Sequence, residues 1–438
     1  MNYNLLKLHM KSLPLLQALF YFSLGLMIAT GCRSTQPIQT MKSTAATTFH
    51  NVRSFGAKGD GMTEDTAAFQ TALDLCATNG GGTVTVPAGA YLIGSIVIGP
   101  NTTLQLERGV NLIGSPDIAD YPLENVRWEG EFRQGHRALI SSDNANNVSI
   151  AGPGTISGPP LSLSQLRNPR GPVLIELANG TNVTLTGFST QYQRLWSIHL
   201  LFCKNITARD LVIRTPALSN GDGIDVDSCD GVTIENCDIN TGDDAISLKS
   251  GRGLAAMLLD RPTQNVLIKN CKLVSSIDAG LGLGTEMSGG IRDVRLENCL
   301  ISGHQNGIFI KSRDGRGGFI ENITFDNLTV SNSPTLVGID LTTKGIQASD
   351  PVPGDVEKWA LVKNIRFSHV TVNNVQALVV GTAVSAQRPI DGLTFSDITG
   401  TCERGITLAN VLNAKFDSIN VTGFSGQLFK TNNLQLAP

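Results

Sequence analysis

The sequence predicts an all-β solenoid, a right-handed single-stranded parallel β-helix with a short N-terminal capping helix. Three observations carry this reading. One short phrase returns along the chain as Asn147-Val148-Ser149-Ile150, Asn182-Val183-Thr184-Leu185, Asn205-Ile206-Thr207 and Gly231-Val232-Thr233-Ile234, and onward to Gly392-Leu393-Thr394-Phe395. A second phrase falls between the copies, as in Gly223-Ile224-Asp225-Val226, Ala245-Ile246-Ser247-Leu248 and Gly307-Ile308-Phe309-Ile310. Both phrases alternate apolar and polar residues, the period of a strand. The copies lie mostly 21 to 35 residues apart, which is the length of a solenoid repeat. The third observation is composition: 46 glycines in 438 residues, 41% hydrophobic residues and only 5% aromatics describe many tight turns joining aliphatic strands. Leucine-rich repeats would need a Leu-x-x-Leu-x-Leu frame, and propeller blades would be longer and richer in aromatics.

The elements follow in order. Lys7 and Lys11 precede an apolar run over residues 13–29, which ends in Ala29-Thr30-Gly31-Cys32. A basic start, an apolar stretch and small residues before a break describe an export signal. Small residues immediately before a cysteine resemble a bacterial lipobox, so residues 1–31 read as a lipoprotein-type signal peptide with Cys32 as the lipidated residue. Residues 32–50 are rich in Ser, Thr and Gln and read as a tether, and the β-helix domain occupies 51–438. An open solenoid end exposes strand edges and needs a cap. Residues 63–76 supply one, with small or apolar side chains at helical spacing around Phe69, Thr63 as N-cap, and Asn79-Gly80-Gly81-Gly82 as the stop. Residues 344–359, containing Pro351, Pro353 and Gly354, read as an insertion between coils. After Cys32 come seven cysteines, an odd number without a CxxC pair, and they read as small buried core residues rather than a disulfide framework or a zinc site.

A net charge of −3, from 34 basic and 37 acidic residues, excludes a nucleic-acid binder that relies on overall basicity. The informative charge is local. Asn220-Gly221-Asp222-Gly223-Ile224 is followed one coil later by Gly242-Asp243-Asp244-Ala245-Ile246. Stacking Ile224 on Ile246 brings Asp222 near Asp244, with Asp243 beside it. The next coil adds Asp278 near Asp243, and the one after it supplies Lys311, in register with Lys249 and Asp227. A single Gly-Asp is turn chemistry. A stacked cluster is different, because crowded carboxylates repel and shift one another's proton affinity. Calcium is one reason for such a cluster, with Asp225-Val226-Asp227 as a hint, although Cys229 and Asn236 stand where an EF-hand needs oxygen ligands. Glycoside hydrolysis is the other reason, since it needs one carboxylic acid for the leaving oxygen and a second carboxylate for water or carbon.

With these residues in place, the chain resembles glycoside hydrolase family 28, the polygalacturonase-like pectin-active β-helix enzymes, from about Val52 onward. Phe55-Gly56-Ala57-Lys58-Gly59-Asp60-Gly61 matches the opening of many such proteins. Asn220-Gly221-Asp222 corresponds to the family's Asn-Thr-Asp, Gly242-Asp243-Asp244 to its Asp-Asp motif, and Gly284-Thr285-Glu286-Met287-Ser288-Gly289-Gly290 to the segment after its Gly-His-Gly. The resemblance implies an inverting hydrolase of α-glycosidic bonds in a pectic polysaccharide, with Asp243 as general acid and Asp222 and Asp244 holding and activating water. It implies no metal and no organic cofactor. Two positions depart: Asp278 stands where the family has His, and Phe309 where it has Arg, although Ile310 and Lys311 remain. Candidate substrate contacts are therefore Asn220, Lys249, Asp278, Phe309 (by stacking on a sugar face), Lys311 and, as a replacement for the missing His, His304. The expected partner is a polysaccharide or oligosaccharide met by a monomer, with no nucleic acid and with membrane contact only through the lipid. A β-eliminating lyase using Lys249 or Lys311 as base, and a non-catalytic glycan-binding β-helix, stay open as alternatives.

Overall fold

The computed structural model describes residues 49–344, 354 and 356–438. The signal and residues 32–48 of the tether, Cys32 included, and most of the 344–359 insertion lie outside the described residues, and Phe49 and His50 already belong to the first strand, Phe49–Asn51. Within them, the two repeated phrases form two parallel strand series, and a third series of short strands completes each coil. In one series Ile198–Leu201, Ile224–Asp227, Ile246–Lys249, Ala279–Leu283 and Asn306–Lys311 stack in parallel, each on the next. Its register runs Ile224 on Ile246, Ile246 on Leu281 and Leu281 on Ile308, as the phrase predicts. The second series stacks Ile150, Leu185, Ala208, Ile234, Ile268, Leu296 and Phe325 into one inward ladder. The third includes Ser189–Gln191, Val212–Arg214, Asp238–Thr241 and Lys272–Ser275.

The Asn that opens many of the copies has a physical reason. Asn147, Asn182, Asn205, Asn265, Asn322 and Asn364 all sit at φ between 53° and 61°, the left-handed corner where Asn is tolerated better than most residues. Their amides then bond coil to coil, Asn147 to Asn101 at 2.7 Å and Asn182 to Asn147 at 2.9 Å. Inside, Phe325, Phe367 and Phe395 stack at centroid distances of 4.4 and 4.7 Å. The seven cysteines from Cys76 to Cys402 are free and buried, as expected.

The cap is the helix Thr66–Thr78, whose Phe69, Ala72, Leu73 and Cys76 are buried. Thr63 is not its N-cap. Asp60 accepts hydrogen bonds from the Met62 and Thr63 amides and from the Thr63 hydroxyl, which holds Thr63 in the preceding strand Asp60–Glu64. Asp65 occupies the cap position, but its carboxylate turns back to the Lys58 and Gly59 amides.

One element leaves the coil pattern. Leu123–Trp128 and Glu131–His136 pair antiparallel as a hairpin. Its two-residue turn, Glu129-Gly130, has φ of 49° and 81°, the positive angles that tight hairpins need. The hairpin lies over the strand face that carries the acidic residues. Arg127 donates to buried Asp227 at 2.8 Å, and Trp128 stacks on Trp196 at 4.1 Å.

Candidate active site

The three aspartates meet. Asp222, Asp243 and Asp244 each place a carboxylate oxygen within 4.8 Å of the others. The backbone arranges this. Asp222 and Asp244 precede stacked strands at equivalent register positions, and the Gly223 amide donates to the Asp244 carbonyl at 3.0 Å. Gly242 permits it, because a Cβ there would lie 2.4 Å from the carbonyl oxygens of Pro216 and Leu218, in the loop that carries Asn220. One coil on, Gly282 leaves the space that the Asp244 carboxylate fills; a Cβ there would stand 2.3 Å from Oδ2. Asp243 is fixed by two backbone donors, the Asn220 amide at 2.7 Å and its neighbour Asp244's amide at 3.0 Å.

Two lysines answer these charges. Lys311 Nζ lies 2.8 Å from Asp244 and 3.1 Å from Asp278. Lys249 Nζ lies 2.6 Å from Asp225, 3.7 Å from Asp222 and 3.8 Å from the Trp196 ring centroid. Burial disfavours both ammoniums, yet the facing carboxylates outweigh it and hold both lysines protonated well above their ordinary range. Asp225 and Asp227 are therefore paired with Lys249 and Arg127, which accounts for them without a calcium loop. Burial, then the charges of Asp225 and Asp243, push the Asp222 carboxyl far up against the pull of Lys249. Burial raises Asp244 to about 7; Lys311 opposes the rise, and Asp278 and Asp243 add to it. The three carboxylates are also spaced to hold one cation, the other chemistry such a cluster can serve.

The cluster lies in a cavity of about 770 Å³, also lined by Asn220, Lys249, Asp278 and Lys311. Two sequence expectations are corrected. His304 is exposed and does not line the cavity, so it replaces nothing there. Phe309 is 6% exposed and lies beneath the Lys311 and Lys344 ammoniums, 5.4 and 4.8 Å from its centroid, so its ring supports cations instead of facing the cavity.

Other lining residues escaped sequence reasoning. Arg170 spans one end: its guanidinium donates to Asn220 Oδ1 at 3.0 Å and to Glu129 Oε1 at 2.7 Å, and stacks 4.3 Å from Trp128. Glu129 comes from the hairpin turn, so the tip of the hairpin lines this end of the cavity. A Cβ on adjoining Gly130 would come within 2.9 Å of the Arg252 amide, a measure of how tightly the tip is seated. Arg167 and Lys344 also line the cavity. The one signal for Arg170 was its place in Asn168-Pro169-Arg170-Gly171-Pro172, a break in the repeat too rigid for an ordinary turn.

Comparison with known proteins identifies the family. The family model described as Glycosyl hydrolases family 28 matches residues 76–424. A probable polygalacturonase of Vitis vinifera is 30% identical over 377 residues, covering 82% of this chain and 74% of that one. An exo-poly-alpha-D-galacturonosidase of Dickeya chrysanthemi is 26% identical over 366 residues, 72% of this chain and 60% of that one. The crystal structure of an exopolygalacturonase from Thermotoga maritima superposes with a TM-score of 0.74 at 22% identity, covering 84% of this chain and 92% of that one. The chain belongs to glycosyl hydrolases family 28 and is a glycoside hydrolase with a parallel β-helix fold.

Proposed function

We propose that this family 28 hydrolase cleaves the α-glycosidic bonds of a pectic, uronate-bearing polysaccharide with inversion, and that it works from a chain end. The observation that carries the reading is the carboxylate cluster, with Asp222, Asp243 and Asp244 within 4.8 Å. Asp243, the least buried of the three, acts as general acid toward the leaving oxygen. Asp222 and Asp244 share a water between them, since two hydrogen bonds of about 2.7 Å span about 5 Å. Two carboxyls about 5–5.5 Å apart are the spacing of retaining enzymes. A third carboxylate changes that count, because one pair can hold the water while the remaining member serves as acid.

The cations support an acidic substrate. Arg167, Arg170 and Lys344 line the cavity together with Lys249 and Lys311, which sit within the carboxylate cluster. Arg170 takes over, at a different place, the carboxylate-pairing chemistry lost with the family's Arg at Phe309. The seated hairpin supports attack at a chain end, as does similarity to the exo-poly-alpha-D-galacturonosidase of Dickeya chrysanthemi. Elimination is disfavoured, because Lys249 is ion-paired with Asp225 and Lys311 with Asp244 and Asp278, which favours the ammonium over the free base.

The test is hydrolysis of polygalacturonate followed by proton NMR. A first-formed β product from the α-linked chain supports inversion; a first-formed α product overturns it. Asp243→Asn should lower turnover by about 10²–10⁴-fold with the fold intact. Reducing ends should rise ahead of any fall in viscosity if chain ends are attacked. We also propose that the protein is exported and anchored through a lipid on Cys32. Loss of detergent-phase partitioning in Cys32→Ala is the expected result.

A further inference from the structure

Among the described residues, and apart from two serines and a histidine, the non-glycine residues at left-handed φ are Asn or Asp, with three exceptions: Glu129, Tyr192 and Phe202. Bulky side chains pay a steric cost in that region and persist where something else requires them. Glu129 holds Arg170 at the active site. Phe202 lies under the guanidiniums of Arg127 and Arg261, at 5.1 and 5.0 Å. Tyr192, at φ 60°, is 68% exposed, and among the described residues it makes no hydrogen bond and no ring contact.

The Tyr192 ring edges a second cavity of about 660 Å³, whose apolar wall includes Pro159, Pro216 and Leu218. Along one side runs a polar row contributed by three coils. Ser157 donates to Asn111 Oδ1 at 2.7 Å, and Gln191 Nε2 donates to Ser157 at 3.0 Å. The row leaves the Asn111 NH₂ group and the Gln191 carbonyl oxygen for a ligand. Arg194 gives one N–H to the Leu161 carbonyl at 3.0 Å and, among the described residues, has no carboxylate partner. An exposed aromatic face, a row of amides and an unneutralised guanidinium match the apolar ring face, the hydroxyls and the carboxylate of a uronic acid. The wall at Pro216 and Leu218 belongs to the loop that leads into Asn220 and Asp222, so this cavity and the catalytic one lie on two sides of one loop.

We propose that the Tyr192 cavity is a second binding site for an acidic glycan, gripping a stretch of polymer away from the bond being cleaved. The proposal rests on the reading of the substrate as a uronate polymer. Its test compares Tyr192→Asn, Tyr192→Trp and Arg194→Gln with the natural protein. Asn suits the left-handed backbone and removes only the ring; Trp keeps a stacking face. KM is measured on polygalacturonate and on trigalacturonide, and mobility is measured in gels cast with polygalacturonate. Tyr192→Asn and Arg194→Gln should raise KM for the polymer about threefold to tenfold, leave the trigalacturonide KM unchanged and lose retardation in the gel, while Tyr192→Trp keeps both. Unchanged polymer KM and equal retardation in all four proteins would overturn the second site. If the natural protein cleaves neither substrate, the active-site reading fails, and the gel alone decides: retardation lost in Tyr192→Asn upholds the second site, and equal retardation removes it.

Discussion

Asp244→Asn tests the electrostatics of the cluster through stability. In the unfolded chain this carboxyl ionises near 3.8, and in the folded chain burial moves it to about 7 against the pull of Lys311. Well below pH 3.8 both states hold the proton and the residue has no pH-dependent effect. As pH rises from about 4 to about 7 the unfolded state loses its proton first, so the folded state is progressively disfavoured. The interval between the two values, at about 1.4 kcal/mol per pH unit, comes to about 4 kcal/mol. Asn carries no proton to lose and removes this dependence. The variant should therefore gain about 4 kcal/mol relative to the natural protein between pH 4 and pH 8, whatever their difference at pH 4. Urea unfolding followed by tryptophan fluorescence reads it, since Trp128 and Trp196 stack beside the site. A stability difference that stays the same at pH 4 and pH 8 refutes the reasoning.

Three further outcomes follow from the same geometry. Lys311→Met removes the cation that favours ionised Asp244, so the acidic limb of the kcat/KM profile should move to higher pH; an unmoved limb separates Asp244 from water activation. Gly282→Ala places a methyl 2.3 Å from Asp244 Oδ2, which displaces that carboxylate; turnover should fall by about 10²-fold while the circular dichroism spectrum is retained. Arg127→Met leaves Asp227 buried without its cation and should cost about 3–5 kcal/mol in urea unfolding, much of it recovered when Asp227→Asn is added.

The fold was legible because each coil repeats the same local problem. A strand of alternating residues meets a left-handed corner, and the chain solves it with Asn or Gly so often that the spacing is visible by eye. The misread cap shows the limit of local reasoning. Thr63 is a competent N-cap residue three positions before Phe69's turn, yet Asp60 gathers its amide and hydroxyl first. The hairpin carried a signal that went unread. Glu129-Gly130 between two alternating segments is a two-residue loop, but repeats of parallel strands on either side give no reason to expect an antiparallel pair.

The acids of the site and the two lysines that face them were legible; the arginines around them were not, for a reason rooted in topology. Asp222, Asp243 and Asp244 come from consecutive coils, so one register assumption brings them together. The groups around them are remote in sequence: Lys311 is 67 residues from Asp244, Arg127 is 100 from neighbouring Asp227, and Arg170 is 50 from Asn220. Lys249 and Lys311 were found only because they share the strand register. The difference bears on substrate. Carboxylates read alone describe a cavity that would repel a polyuronate. With Lys249 and Lys311 beside them, and Arg167, Arg170 and Lys344 also on the lining, five cations offset most of the charge of the cavity's six acids, Glu129 and Glu286 among them. The Phe309 departure fits the same scheme. A ring in place of the family's Arg removes one cation but supports two others, Lys311 and Lys344, in positions facing the cavity. Loss of the family's Arg is thus compatible with the acidic substrate proposed above, because Lys311 and Lys344 keep positive charge on the cavity lining.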